Sequence, residues 1–508
     1  MQRRSARAAL LSGYSEVTSA VVRRTVPRRF PAADGPRHIC VPLSLDGAAP
    51  HHRRMTQNGS ADESAVAKAQ RELQAAGVRT VIGTVVNASG LTLAKSVPLA
   101  RLKTFHESGM GAAPVWHVFT IDGGIAFTDS ITPVGDMRLR IDIAELRVLP
   151  GTRAWAPANF FEQDGAASPA CARGLLADVD GGLDGAGYKA LVGHELEFFL
   201  VAPDGSALEA APWVPYGATG LLDRSEFLDD LLSALNHAGV FIEQIHAEYG
   251  RNQFEFSLPP ASPVHAADTV VLAKIIVGVV ARAHGMQASF SPSPFPGSVG
   301  NGAHQHLSLQ KNGLPLFSGG SGPHGISDEG GAAIGGILAG LPEIQGFLTG
   351  SILSGSRLAP STWSGAYLCW GLENREASVR FLNEGRSNPH GANVEVKIVD
   401  PSANVYLASA AILALALDGI RGGRTLPAEI PGDPARLSEE DRRRANIQLL
   451  SDSPTAIIDT LDKSRLARGL LGDAVVDATV AVRRYEQRIS AELSPDELAE
   501  RFRLAWSI

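Results

Sequence analysis

The first region with a regular hydrophobic pattern runs from residue 60 to about residue 158. Ser60 and Glu63 have the spacing of a capping box, and a short helical pattern follows them to Ala76. Patterns rich in β-branched residues then predict strands at 78–86, 115–121 and 137–143. The segment 155–158 reads as a connector. These elements together predict a small, mainly β domain.

Beyond residue 158 the pattern is longer and mixes strands with helices. Strands are predicted at 191–201, 252–258, 304–309, 365–371, 376–382 and 393–399. Helices are predicted at 266–284, at 402–417, and in the charged C-terminal part from Ser438. Proline and glycine predict a loop at 291–303, and a second glycine-rich stretch covers 318–336. Because strands and helices do not alternate regularly, we predict an α+β fold.

Composition narrows the class of protein. Apolar residues make up 44% of the chain and charged residues 19%, which is typical of a soluble globular protein. A net charge of −7 argues against general nucleic-acid binding. Three widely separated cysteines suit a reducing cytosol, so we expect a cytoplasmic protein. The apolar runs at 275–281 and 407–417 are too short for a bilayer, so we expect no membrane span.

The first 54 residues differ from the rest of the chain. They hold ten arginines, no lysine and three acids, a net charge of +7. This basic, aperiodic composition predicts disorder. A transit peptide is one interpretation. A translation start at Met55 is the interpretation we prefer, since the informative motifs all lie beyond it.

Five glutamates lie in apolar, strand-like surroundings. Alternate residues of a strand point to the same face, so Glu195 and Glu197 are expected to lie side by side. Glu248, Glu255 and Glu395 occupy similar contexts. Any one of them alone is more simply explained as a solvated edge charge. Five together indicate oxygen-rich sites for hard cations such as Mg²⁺ or Mn²⁺.

Histidines and arginines accompany these acids. His304 and His306 follow a glycine-rich turn with the same two-residue spacing. Arg357, Arg375 and Arg380 suit recognition of phosphate or carboxylate, although each alone is compatible with a surface ion pair. Acids, paired histidines and several arginines together favour phosphoryl transfer. The GxGxxG match at 320–325 follows no strand and contains a proline, and no P-loop motif occurs.

The order of the motifs from about residue 60 to the C-terminus resembles the glutamine synthetase family. The motifs are GHELEFFL, HAEYGRNQFE, SFSPSPFPGSVGNGAHQH, SRLAPSTW, NREASVRF and NVEVKIVDPSANVYLA. The resemblance implies a small N-terminal β-grasp-like domain at 55–158 and a large catalytic domain at 159–508. It also implies ATP and Mg²⁺ or Mn²⁺ as cofactors, and ring-shaped homo-oligomers whose active sites lie between subunits.

The resemblance also implies roles for individual residues. One metal would be held by Glu197, Glu248 and Glu255, and the other by Glu195, His304 and Glu395. The ATP phosphates would face His306, Arg375 and Arg380. Glutamate would meet Arg357 and Gly300. Two aspartates, Asp122 and Asp136, match more loosely a pair that completes a neighbouring subunit's site, where Asp122 helps to deprotonate the amine.

Several residues depart from the family pattern. Trp363 stands where the family has a glutamate that helps to hold ammonium, and Lys397 and Asn393 stand where arginine is usual. Val299 replaces an asparagine, and Ser293 replaces a lysine. The metal residues are kept while the amine pocket is altered.

These departures favour one of three functions. The first is an ATP-dependent ligase that joins the glutamate γ-carboxylate, through γ-glutamyl phosphate, to an amine other than ammonia. An ordinary glutamine synthetase is the close alternative, and a non-catalytic regulatory paralogue is the third. A metal hydrolase that uses the histidine pair is disfavoured by the motif order.

Overall fold

The structure is a computed structural model that describes residues 59–508, with side chains from residue 65. The predictions for residues 1–54 lie outside this range. Helix α1 spans Gly59–Ala75, so the helix predicted from Ser60 is present, but Ser60 lies inside it rather than before it. Gly77 follows with a φ of +76°, a left-handed conformation that suits the end of a helix.

A six-stranded sheet occupies the N-terminal part of the described chain. Its strands are β1 Thr80–Val86, β2 Thr92–Pro98, β3 Met110–Ala112, β4 Met137–Ile141, β5 Arg147–Leu149 and β6 Arg153–Phe161. Their order is β2-β1-β6-β4-β3, with β5 also paired to β6, and helix α2 spans Leu102–Glu107. Buried side chains such as Leu102, Phe105 and Leu139 form a hydrophobic core of its own for this sheet.

Two sequence predictions in this region are wrong. The strand predicted at 115–121 is instead a 3₁₀ helix, Pro114–Val118, whose Val115 and Val118 pack with a C-terminal helix. The connector predicted at 155–158 lies inside strand β6. The indole of Trp155 is buried there and donates to the Thr84 hydroxyl at 2.8 Å. A connector would need exposed backbone, whereas β6 is a central strand with partners on both sides.

A ten-stranded sheet forms the larger part of the fold. Its strands are β7 Tyr188–Val201, β8 Gln244–Ala247, β9 Gln253–Ala261, β10 Gln287–Ser289, β11 Gln305–Lys311, β12 Leu314–Pro315, β13 Tyr367–Leu372, β14 Ala377–Leu382, β15 Asn393–Val396 and β16 Gln448–Leu449. The order is β16-β13-β14-β15-β11-β7-β9-β8. Strand β7 pairs with β11 on one side and β9 on the other, so the acids of three motifs become neighbours.

Helices cover the large sheet and form the C-terminal region. They are α3 Ala172–Gly185, α4 Ala218–Asp223, α5 Ser225–His237, α6 Pro263–Ala283, α7 Asp328–Leu348, α8 Val405–Gly422, α9 Glu439–Arg444, α10 Pro454–Lys463, α11 Arg465–Leu471, α12 Asp473–Ile489 and α13 Pro495–Phe502. The glycine-rich stretch 318–336 therefore contains the start of a helix. Ser327 caps α7 by accepting from the Gly330 N–H at 3.0 Å.

The glycines of α7 have a packing role. A Cβ on Gly336 would lie 2.5 Å from the Cα of Gly419 in α8, so the two backbones meet too closely for any side chain. Both helices are apolar nearly all round and are buried in the main core. Glycine lowers helix propensity, and the tertiary contact with α8 compensates for that cost.

Three helices within the described residues have the length and hydropathy of a membrane span. These are α6, α7 and α8, and in each at least 72% of the apolar window is buried inside the fold. Burial in the core accounts for their apolar composition. The absence of a membrane span stays a prediction.

The prediction of an α+β fold is confirmed by the two mixed sheets and their covering helices. Residues 59–508 form one compact unit, although each sheet has a hydrophobic core of its own. The domain boundary at residue 158 and the β-grasp character of the first part stay predictions.

Candidate active site

The acids that the sequence singled out meet on one face of the large sheet. Glu195 and His304 are brought together because β7 pairs with the start of β11, and the Glu195 N–H donates to the His304 carbonyl at 3.0 Å. Glu395 comes from β15 on the far side of β11. The His304 Nδ1 lies 3.4 Å from a Glu195 oxygen and 3.3 Å from a Glu395 oxygen. Each residue offers one ligand atom within 4.8 Å of the other two.

A second group lies on strands β8 and β9 and on the residue that directly follows β8, Glu248. Glu248 and Glu255 each offer an oxygen that, with a nitrogen of His246, lies within 4.8 Å of the others. The His246 Nε2 is 3.0 Å from a Glu248 oxygen and 4.0 Å from a Glu255 oxygen. Sequence reasoning missed His246. The available signal was its two-residue spacing from Glu248, the same spacing that identified Glu195 and Glu197.

Glu197 lies between the two groups. It sits opposite Glu255 in the pairing of β7 with β9, and one of its oxygens is 3.9 Å from the His304 Nε2. Its other oxygen accepts from the Gln253 amide at 2.9 Å. We name Glu195, Glu197, His246, Glu248, Glu255, His304 and Glu395 together the acid cluster.

Burial dominates the electrostatics of the acid cluster. It raises the pKa of Glu197 to about 7, where attraction to Arg357 opposes it and repulsion by Glu248 adds to it. Burial and the neighbouring carboxylates also raise the pKa of Glu255 well above its ordinary value. Burial lowers the pKa of His304 to about 4, so its imidazole is neutral. Crowded, buried carboxylates with a neutral imidazole are a donor set that fits divalent cations.

Two basic residues, Lys397 and Arg357, lie beside the acid cluster. Burial pushes the pKa of Glu395 up, but Lys397, His304 and His306 hold it far below its ordinary value. The Lys397 Nζ is 2.8 Å from Glu395 and both side chains are almost fully buried. Arg357 donates to the carbonyl of Lys397 at 3.1 Å and lies 3.1 Å from the His304 Nε2. Arg357, the predicted glutamate-binding residue, and Lys397, the lysine at a position where arginine is usual, therefore border the acid cluster.

Two glycines let the backbone approach these groups. A Cβ on Gly300 would lie 2.9 Å from the Arg357 Cγ and 2.4 Å from the Pro292 carbonyl. A Cβ on Gly302 would lie 2.5 Å from the His304 Nε2 and 2.8 Å from a Glu197 oxygen. Gly300 was predicted from the sequence and Gly302 was not. The glycine-rich loop was the signal for both.

Two of the predicted phosphate-binding residues, His306 and Arg380, contact the acid cluster. His306 faces Glu195 at 3.6 Å and the Asn393 side chain at 2.8 Å. Arg380 makes a 3.2 Å ion pair with Glu395 and a second ion pair with Glu373. The Arg375 guanidinium lies over the Trp363 ring, 5.9 Å from its centroid.

Asp122 and Asp136 lie on the N-terminal sheet region, away from the acid cluster. Asp122 accepts from the Thr120 hydroxyl at 2.6 Å and from the Gly124 N–H at 3.1 Å, which stabilises a turn. Asp136 accepts from Gln163 at 3.2 Å. Within the described residues neither aspartate has a hydrogen bond or ion pair to the cluster. Their role in a neighbouring subunit's site stays a prediction.

Trp363 is joined by two aromatic residues that sequence reasoning missed. Its ring meets that of Tyr249 at right angles with centroids 5.7 Å apart, and Tyr249 meets Tyr216 in the same way at 5.7 Å. Tyr216 also lies 5.5 Å from the His246 ring. Burial and Glu248 raise the pKa of Tyr216, so its phenol stays protonated. Loops far apart in sequence supply these rings, and no local periodicity links them.

Comparisons with known proteins agree with this geometry. The family model described as the glutamine synthetase catalytic domain matches residues 169–500. The gamma-glutamylpolyamine synthetase GlnA3 of Streptomyces coelicolor is 36% identical over 443 residues, covering 85% of this chain and 94% of that protein. A glutamine synthetase of Pyrococcus horikoshii is 29% identical, covering 77% of this chain and 85% of that protein.

Solved structures give the same result. One described as a novel glutamine synthase homolog is 30% identical with a TM-score of 0.76, covering 84% of this chain and 99% of that chain. A complex of GmaS with ADP is 25% identical with a TM-score of 0.74, covering 84% of this chain and 97% of that chain.

Proposed function

This chain belongs to the glutamine synthetase family, and we propose that it is an ATP-dependent ligase for organic amines. It joins the γ-carboxylate of glutamate to the amine through γ-glutamyl phosphate. The observation that carries the choice of amine is the aromatic surface formed by Trp363 and Tyr249 beside the acid cluster. A polyamine is the favoured class, because GlnA3 of Streptomyces coelicolor is named for that activity.

The acid cluster is proposed to hold two divalent cations, Mg²⁺ or Mn²⁺. Glu195, His304 and Glu395 fit one of them, and Glu248, Glu255 and Glu197 fit the other, with His246 as a further donor. When bound, these cations supply positive charge against the phosphate oxygens. The buried carboxylates fit that purpose, because a cation offsets both the burial and the carboxylate repulsion that raise the pKa values of Glu197 and Glu255.

Residues around the cluster are proposed to orient the two other substrates. Arg357 and Gly300 hold glutamate, with Lys397 beside them, so that the γ-carboxylate faces the terminal phosphate of ATP. His306, Arg375 and Arg380 face the ATP phosphates. Arg380 is already held by Glu395 and is positioned to share charge during transfer.

Transfer then proceeds in two steps. The γ-carboxylate oxygen attacks the terminal phosphorus and ADP leaves. The amine nitrogen next attacks the acyl carbon, phosphate leaves, and the nitrogen loses a proton. Asp122 of a neighbouring subunit, with Asp136, is the proposed acceptor region for that proton, in a cytoplasmic ring-shaped homo-oligomer. No nucleic acid or membrane takes part.

An amine panel tests this function. Phosphate release with ATP, Mg²⁺ and glutamate is measured with ammonia, methylamine, ethanolamine, putrescine and spermidine, and products are identified by mass. We expect glutamate-dependent turnover that is faster with an organic amine than with ammonia. Efficient turnover with ammonia alone would make the chain an ordinary glutamine synthetase. Absence of turnover with every amine, despite ATP binding, would favour a regulatory paralogue.

A further inference from the structure

Three exposed aromatic rings form a continuous surface beside the acid cluster. Tyr216, Tyr249 and Trp363 are 50%, 45% and 40% exposed, unusually open for side chains of this size. Tyr249 is the middle ring and stands at right angles to both of the others. We name these three residues the aromatic strip. A strip of exposed rings is a surface that binds alkyl groups and cations, and the Arg375 guanidinium already lies over one of these rings, Trp363.

The middle residue of the aromatic strip, Tyr249, is anchored in the acid cluster. The Tyr249 N–H donates to a Glu248 oxygen at 2.9 Å. The Trp213 indole donates to the Glu248 carbonyl at 2.8 Å, which fixes the backbone that carries Tyr249. The carbon chain that extends from a nitrogen bound near Glu248 therefore has the Tyr249 ring as its neighbour.

The Trp363 end of the aromatic strip is held by a buried carboxylate. Glu376 accepts from the backbone N–H of Ser361 at 2.9 Å and from that of Trp363 at 3.0 Å. Ser361 and Trp363 have φ values of +64° and +56°, a conformation that costs energy for residues other than glycine. Because Glu376 is itself buried, it fixes this loop, and with it the Trp363 ring. Glu376 is thus a positioning residue.

We propose that Tyr249 is a specificity-determining residue, which with Trp363 recognises the carbon chain and second ammonium group of a diamine or polyamine. This inference rests on the proposed ligase function and adds a residue that selects among amines. The reacting nitrogen lies at the Tyr216 end of the aromatic strip, where Tyr216 meets His246 and His246 meets Glu248. The polymethylene chain lies along Tyr249, and the distal ammonium is held against the rings toward Trp363.

Ammonium and a longer amine are expected to gain different amounts of binding energy from the aromatic strip. Ammonium has no carbon to desolvate, and near Glu248 it gains little from a ring farther along the strip. A diamine gains both apolar contact and a cation–π contact at its far end. One cation–π contact corresponds to between about twofold and thirtyfold in an equilibrium constant. The loss of Tyr249 is therefore expected to affect long amines and spare ammonia.

Replacing Tyr249 tests the proposal in the full-length protein. We expect Tyr249→Ala to lower kcat/KM about tenfold for putrescine and spermidine, less for butylamine, and little for ammonia or hydroxylamine. The effect is expected mainly in KM for the amine. Tyr249→Phe keeps the ring and is expected to retain the preference for long amines. Quenching of tryptophan fluorescence by putrescine, compared between the parent protein and Trp363→Phe, reports binding without turnover.

The controls separate this proposal from the proposed function. Phe241→Ala removes another exposed aromatic, 62% accessible, and is expected to leave the amine preference unchanged. An equal loss of rate with ammonia and putrescine in Tyr249→Ala would overturn the assignment of Tyr249 while leaving the ligase function intact. Absence of glutamate-dependent ligation in the parent protein would instead overturn the function itself.

Discussion

The residues of the acid cluster come from distant parts of the chain. Together their carboxylates carry more negative charge than the nearby basic side chains balance. Glu197 lies between the two groups of ligands, with Gln253 as a neutral partner on one oxygen. Arg357, Lys397 and Arg380 are nearby basic side chains, and the last two are already paired with Glu395. The remaining carboxylates have no equivalent cation among the described contacts. A divalent ion would balance the negative charge of these carboxylates and is a ligand that oxygen-rich sites accept.

At this scale we predict that Glu197→Ala abolishes phosphoryl transfer and weakens Mn²⁺ binding. A lost ligand should cost more than the roughly 10- to 100-fold typical of outer-shell partners, because it contacts the ion directly. Phosphate release and direct Mn²⁺ titration by calorimetry measure the two effects. Glu243→Gln, which removes an exposed carboxylate paired with His390, is the matched control. Full activity and unchanged Mn²⁺ affinity in Glu197→Ala would refute the metal assignment.

Helices and loops position the residues of the site. The helices do so through close backbone contacts, and the loop that carries Trp363 does so through a fixed backbone geometry. Helices α7 and α8 touch through Gly336 and Gly419, so no side chain separates the two backbones at that point. The loop that carries Trp363 is fixed differently, by hydrogen bonds to Glu376. Both features lead to testable effects on stability or specificity.

Gly336→Ala is expected to destabilise the protein by about 1–3 kcal/mol. The new Cβ would meet the Gly419 Cα and the Leu415 carbonyl at 2.5 Å, which is overpacking. Gly182→Ala in α3 is the matched control, since no atom lies within 4 Å of its Cβ position. That control should be neutral or stabilising by up to about 1 kcal/mol through helix propensity. Chemical denaturation measures both, and equal effects would contradict the contact between α7 and α8.

Glu376→Gln is expected to change amine preference more than stability. Glutamine offers one acceptor oxygen, so one of the two backbone hydrogen bonds is lost and the Trp363 loop loosens. We expect KM for putrescine to rise several-fold while KM for glutamate stays constant. A matched measurement of Tm separates this from general destabilisation. An unchanged ratio of putrescine to ammonia turnover would show that Glu376 does not position the ring.

The whole molecule combines local motifs into a site that spans distant parts of the chain. The acid cluster draws on β7, β8, β9, β15 and the residue before β11. The described residues 59–508 form one compact unit that contains both sheets. The family match and the structural matches also lie mostly within this part.

From this we predict that a chain starting at Met55 keeps the activity and the assembly of the full-length protein. The described unit contains every proposed metal, nucleotide and glutamate residue. Size-exclusion chromatography with light scattering compares assembly, and the amine panel compares turnover. Loss of assembly or of turnover after truncation would contradict the prediction and give the first 54 residues a role.

The sequence by itself determined the family, the α+β class and the identity of most clustered acids. Alternation along a strand is local, so the shared face of Glu195 and Glu197 could be inferred from spacing alone. The order of the six motifs indicated the family, and the family resemblance supplied the predicted roles of the other acids. Glycine content hid helix α7, and β-branched residues at 115–121 suggested a strand where a 3₁₀ helix lies, because tertiary packing overrides propensity.

Only the tertiary structure decided which distant residues are neighbours. His246 enters the second ligand group through the pairing of β8 with β9, and Tyr249 reaches Trp363 across more than one hundred residues of sequence. Cross-strand pairing and loop packing depend on long-range closure of the chain, whereas periodicity records only each residue's own element. For that reason the sequence predicted where cations would bind, and the folded structure revealed the ring surface beside them.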